Sequence, residues 1–193
     1  MNELILSDTL KSKMSLYRSA AAYEEYHDKA ARGEAAGALY SQLVVANRLV
    51  MPSYVSYETA LHWHELMPEG CGRVIRSACS TGRTRRLPFG DEEYAYTCMP
   101  KEYFAVGQLA LPSEEPLYYI ATPEKALCDL VLDTALLYLR SRAAVNNYLL
   151  NTLRVPEEKW GRFSPELLAR CAAAAHKKQR DVEMIVTFLS ELR

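Results

Sequence analysis

Ile120-Ala121-Thr122-Pro123-Glu124-Lys125-Ala126-Leu127-Cys128-Asp129-Leu130 is the stretch from which the fold is read. Thr122 can accept from the free N–H groups of a first helical turn. Pro123 is already set at a helical φ, and Glu124 favours the positive end of the helix dipole. The spacing predicts a helix over 123–138 that buries Ala126, Leu127, Leu130, Val131 and Ala135. Lys125 and Asp129 stand at i, i+4, where they can pair. A strand is expected just before the helix, from Leu117 to Ile120.

Upstream, the texture from Arg73 to Phe104 is that of short strands: 74–80, 84–89 and 93–99. They are separated by Thr81-Gly82-Arg83 and Phe89-Gly90-Asp91, both turn-like, and Tyr94, Tyr96 and Cys98 alternate as in a half-buried strand. Further upstream, Pro52 stops a helix, and Ser56 is expected to cap another, with Glu58 in its first turn and Ala60, Leu61 and Leu66 turned inward. Before Pro52, two amphipathic segments form a helical hairpin, with a loop marked by Gly33 and Gly37. The first runs from about Asp8 to Ala30. The second runs from about Ala38 to Arg48, with Leu39, Leu43, Ala46 and Val50 on its apolar side. Downstream, Ser164-Pro165-Glu166 repeats the start signal and opens a C-terminal pair of helices, with an apolar stripe of Val182, Ile185, Val186, Leu189 and Leu192. The expected fold is α+β: a small, mostly antiparallel sheet packed with helices, an N-terminal helical hairpin over 1–50, and an α/β domain with C-terminal helices over 51–193.

A chain of 193 residues that is 49 % apolar and 24 % charged can build a proper core, and its net charge of −1 announces no nucleic-acid or acidic-membrane partner. The N-terminus lacks the basic and apolar regions of a signal peptide, and the longest apolar stretch, 126–139, is interrupted by Asp129 and Asp133. A cytoplasmic protein without a membrane partner is expected. The five cysteines, Cys71, Cys79, Cys98, Cys128 and Cys171, are scattered without a CxxC pair and read as free thiols in a reducing compartment.

The candidates for chemistry are few. His62 and His64 are two apart, so on a helix they point away from one another and share no ion. The sequence has no Gly-rich phosphate loop, no Gly-Ser turn with paired aspartates, and no nucleophile elbow. The reading is of a non-enzymatic protein with no catalytic residue, metal ligand or cofactor site. The one local charge asymmetry is Arg73, Arg76, Arg83, Arg85 and Arg86, five arginines in fourteen residues with no acid among them. Such a hairpin suits phosphates or carboxylates, because guanidinium forks bind both bidentately. The alternative is a hydrated hairpin balanced by Asp91, Glu92 and Glu93. The basic run from His176 to Arg180 reads as structural, with cations near a helix end.

The stretch Asn47-Arg48-Leu49-Val50-Met51-Pro52-Ser53-Tyr54-Val55-Ser56-Tyr57-Glu58-Thr59-Ala60-Leu61, together with the opening one, resembles the AbiEi family of antitoxins of type IV toxin–antitoxin systems. The match covers roughly 47–133 and is carried by Pro52, Ser53, Tyr54, Ser56, Glu58, Pro123, Glu124, Lys125 and Asp129. The resemblance implies a regulatory antitoxin countering a nucleotidyltransferase-like toxin, with the shared region as the antitoxic domain. It also implies an N-terminal winged helix for promoter DNA, from which this sequence departs, since 1–50 read as two helices with balanced charge, six of each sign. The matched residues read mainly as architecture, with Glu124 and Lys125 the candidates for contact. The alternative function is a DNA-binding transcriptional regulator using the 73–86 arginines.

Overall fold

The computed structural model describes residues 35–67, 74–111 and 118–192. The predicted first helix, Cys71, Arg73 and Leu117 lie outside the described residues. The chain runs through α1 (Ala35–Leu49), β1 (Ser53–Val55), α2 (Tyr57–Trp63), β2 (Val74–Cys79), β3 (Arg85–Phe89), β4 (Glu92–Cys98), α3 (Lys101–Phe104), β5 (Gln108–Leu111), β6 (Tyr118–Ala121) and α4 (Pro123–Asp133). There follow α5 (Arg142–Asn147), which continues into a π-helical turn over Tyr148–Thr152, then a 3₁₀ turn over Glu157–Arg162, α6 (Pro165–Ala174) and α7 (Gln179–Ser190).

The strands form one six-stranded sheet in the order β3-β4-β2-β1-β6-β5, packed with helices, so the fold is α+β. The sheet is mixed rather than nearly all antiparallel. β3/β4, β1/β2 and β5/β6 pair antiparallel, while β2/β4 and β1/β6 pair parallel. The reason lies in the order of insertion. The turn at 81–83 does not close a hairpin; it carries the chain past a slot that β4 later fills, so β4 reverses β3 and ends parallel to β2. Gly82 makes that excursion at φ +82, and the Arg85 guanidinium occupies the space where a Cβ would stand.

Strand alternation sorts the side chains of β2 and β4 onto two faces. Ile75, Ser77 and Cys79 are level with Tyr94, Tyr96 and Cys98, and the Tyr96 hydroxyl donates to the Ala46 carbonyl of α1 at 2.6 Å. Leu43 and Ala46 of α1, and Val50 just after it, are buried in the same core as the sheet, so this helix is part of the sheet's own packing. Gly37 lies inside α1 and not in a preceding loop. Asn47 is the second tie. Its side-chain amide donates to the Tyr119 carbonyl at 3.1 Å and accepts from the Tyr119 N–H at 2.9 Å, as a neighbouring strand would.

Beyond the sheet, α4 is capped by the Thr122 hydroxyl, which accepts from the Lys125 N–H at 3.2 Å, but it ends at Asp133, five residues before the predicted end. The Thr134 hydroxyl bonds back to the Leu130 carbonyl, Leu136 turns left-handed at φ 53, and Lys178 takes the Val131 and Thr134 carbonyls, so Ala135 is exposed. Lys178 thus gives the basic run its structural use. In α7, Val182, Ile185 and Leu189 are buried as the stripe predicts, but Phe188 takes the inward place expected for Leu192, which is exposed. Helix α2 stops at Trp63, where the following Glu65 is left-handed at φ 59. Among the described residues no helix is long and apolar enough to cross a membrane.

Replacing Asn47 by alanine strands the N–H and C=O of Tyr119. The expected cost is about 2 kcal/mol of unfolding free energy, measured by urea denaturation. Two groups are orphaned, at roughly 1–3 kcal/mol each if buried, reduced to the low end because Tyr119 is partly exposed to water.

Candidate functional site

The two sequence stretches that carry the family resemblance meet inside the protein. Lys125 and Asp129 lie one helical turn apart on α4, their charges 3.4 Å from each other, and both side chains are fully buried. β1 brings Tyr54, whose hydroxyl donates to Asp129 Oδ2 at 3.0 Å. Ser56, at the head of α2, donates to the same oxygen at 2.5 Å. Tyr103 of α3 donates to Oδ1 at 2.6 Å. One carboxylate therefore collects three hydroxyls and an ammonium, which is what a buried charge requires.

This use of Ser56 corrects the expectation from sequence. Its side chain makes no capping bond to α2, because the hydroxyl is turned to Asp129. Lys125 also donates to the Tyr103 carbonyl at 2.8 Å and stands 2.9 Å from the centroid of the Tyr103 ring. The chain passes close by at Gly107, with φ +72, where an added Cβ would come 2.8 Å from the Lys125 Cβ. Only glycine fits there.

Burial draws the Lys125 ammonium below its ordinary pKa, with the Asp129 charge working against that pull. Tyr54 and Tyr103 are driven well above 10, first by burial and then by the Asp129 charge. Tyr57, Tyr96 and Tyr148 are also raised, chiefly by burial. Glu124, the other candidate for contact, is buried too, and its Oε1 accepts from the Ser164 N–H at 2.7 Å, fixing the start of α4 to the cap of α6.

Nearer the surface, Arg76 of β2 lies across the Tyr57 ring, 4.1 Å from its centroid. It donates two bonds to Glu58, at 2.8 and 3.1 Å, and one to Asp133 of α4. Glu58 thus serves as the partner of Arg76 as well as a first-turn acid. Arg86 pairs with Glu93 at 2.5 Å across the exposed β3/β4 edge. Arg76 and Arg86 lie level with Ala95 on one face, whereas Arg85 is level with Tyr96 on the other. Arg83, in the turn before β3, and Arg85, the first residue of β3, are exposed. Among the described arginines, Arg76 and Arg86 are therefore ion-paired on one face of the sheet, and Arg85 stands on the other.

The first resemblance stretch also builds an open groove of about 440 Å³ between the end of α1 and β6. Arg48, Met51, Pro52, Ser53, Phe104 and Tyr119 are among its walls, with Met51 45 % and Tyr119 41 % exposed. The groove and Tyr103 are what sequence reading missed. Tyr103 lies in a helix of four residues, too short for any periodicity to disclose. Near the same core, His64 donates to the Ala121 carbonyl at 2.8 Å, and burial lowers its pKa. Among the described residues no three His, Cys, Asp or Glu side chains gather as a metal site would need.

Asp129→Ala leaves Lys125 buried without its counter-charge and should cost about 3–5 kcal/mol, read by chemical denaturation. Alkaline pH should unfold the protein. The folded state keeps phenol protons that the unfolded chain releases above pH 10, so stability is complete below that pH and falls by about 1.4 kcal/mol per pH unit for each such tyrosine above it. Lys125 acts in the opposite sense up to 10.5 but is outnumbered. Tyr103→Phe should make the alkaline loss shallower by one tyrosine's share, measured by urea melts from pH 9 to 11.

No family model matches the chain, and no curated protein matches it.

Proposed function

We propose that this chain is a cytoplasmic, antitoxin-like binding protein that counters a nucleotidyltransferase-like toxin and is not itself a catalyst. The observation that carries this reading is the bonding of Tyr54 and Ser56 to Asp129. Tyr54 and Ser56 of one stretch and Asp129 of the other belong to a single buried centre, which supports reading the two stretches as parts of one domain. Tyr54, Ser56, Lys125 and Asp129 are sealed from solvent, which suits a scaffold and leaves contact to the surface around it. On that surface the groove at Met51 and Tyr119 suits an apolar contact, and the exposed Arg83 and Arg85 suit an acidic one.

The exposure of Arg83 and Arg85 favours a second reading, a DNA-binding regulator. Co-expression separates the two. The proposal expects a nucleotidyltransferase-like toxin encoded beside this chain, and growth arrested by it should recover when the chain is supplied. Persistent arrest overturns the proposal. In the second reading, binding to the gene's own promoter falls steeply with added salt, because phosphate contacts release counterions, and Arg83→Ala, Arg85→Ala and Arg86→Ala together abolish it.

A further inference from the structure

Cys79 and Cys98 close neighbouring strands, β2 and β4, at the same level and on the same face of the sheet. Paired strands run roughly 4.7–4.9 Å apart, which lies within the Cα separation of about 4.4–6.8 Å over which a disulfide can close. The Cys79 thiol donates to the Thr81 carbonyl at 3.5 Å. Both strands end here, with the Met99 N–H donating to the Cys79 carbonyl at 2.8 Å as the chain leaves β4. Cys79 is buried, whereas Cys98 is half-exposed and can meet a small oxidant. Burial raises the Cys79 thiol above its ordinary pKa, with the Arg85 guanidinium working against that pull, so the half-exposed Cys98 is the sulfur that meets the oxidant. The other thiol pair, Cys128 and Cys171, is shut inside the core and open to no such encounter.

We propose that Cys79 and Cys98 form a redox modification site, in which a hydroperoxide converts the two thiols into a reversible disulfide that clamps β2 to β4. The Cys98 thiolate attacks the terminal peroxide oxygen. An S–O bond forms as the O–O bond breaks, and the departing alkoxide takes up the proton that the thiol gave, leaving as an alcohol. The Cys79 sulfur then attacks the Cys98 sulfenic acid. The S–S bond forms, the S–O bond breaks, and hydroxide leaves with the Cys79 proton as water. The two thiols are oxidised by two electrons and the peroxide is reduced by the same two. The closed ring encloses residues 80–97, which carry Arg83, Arg85 and Arg86, so oxidation stiffens the excursion on which these arginines stand.

The test treats the full chain with hydrogen peroxide and maps its peptides by mass before and after dithiothreitol. The expected product is a linked pair containing Cys79 and Cys98, lighter by two hydrogen atoms and released by the reductant. Cys98→Ser should abolish it, and Cys79→Ala provides an independent control if the first variant melts early. Backbone amides over 80–97 should exchange about tenfold more slowly in the oxidised chain. Recovery of Cys98 as a sulfinic acid, or bridged to Cys71 or to a second copy while Cys79 stays a thiol, overturns the proposal. Unaltered amide exchange after the bridge forms overturns the clamp.

Discussion

The Asp129 carboxylate is the point on which this structure turns. Moving a charge of that size out of water costs several kcal/mol, and the cost is offset only if partners arrive from every side. Here they come from four elements: Lys125 from α4 itself, Tyr54 from β1, Ser56 from the head of α2, and Tyr103 from α3. Each partner fixes the position of its own element. Such a centre adds less stability than an apolar cluster of the same volume could, but it penalises any other arrangement heavily. A shifted β1 would leave an unpaired carboxylate in the core.

That trade explains what could be read from the sequence and what could not. The start of α4 was legible because Thr122-Pro123-Glu124 encodes its cap, its fixed φ and its favourable charge within three residues, and the structure has the cap as expected. Ser164-Pro165-Glu166 was legible for the same reason, with the Ser164 hydroxyl accepting from the Leu167 N–H. Ser56 was misread because a serine before a helix has two possible uses. The local one, capping, lost to a carboxylate seventy-three residues away. β1 has three residues and β5 four, too few for alternation to show. The parallel pairing of β2 with β4 depends on which strand enters the sheet last, and no local pattern records that.

The arginines show how charge read in sequence differs from charge in space. Arg76 belongs to the acid-free run 73–86, yet its guanidinium is satisfied by Glu58 and Asp133, one upstream of the run and one far downstream. What sequence offers as a basic cluster is in part the single positive member of an ion-pair network with two carboxylates, stacked on Tyr57. Outside that network, the Arg85 guanidinium lies against Gly82, in the space a Cβ would take.

The Asn47 side chain has a consequence for how force would travel through the molecule. By bonding both the N–H and the C=O of Tyr119, it joins the end of α1 to a strand in the body of the sheet, and Tyr96 grips the same helix through the Ala46 carbonyl. A tug applied ahead of α1 is therefore delivered to β6 and β4, strands in the interior of the sheet. It does not peel an edge strand away one bond at a time.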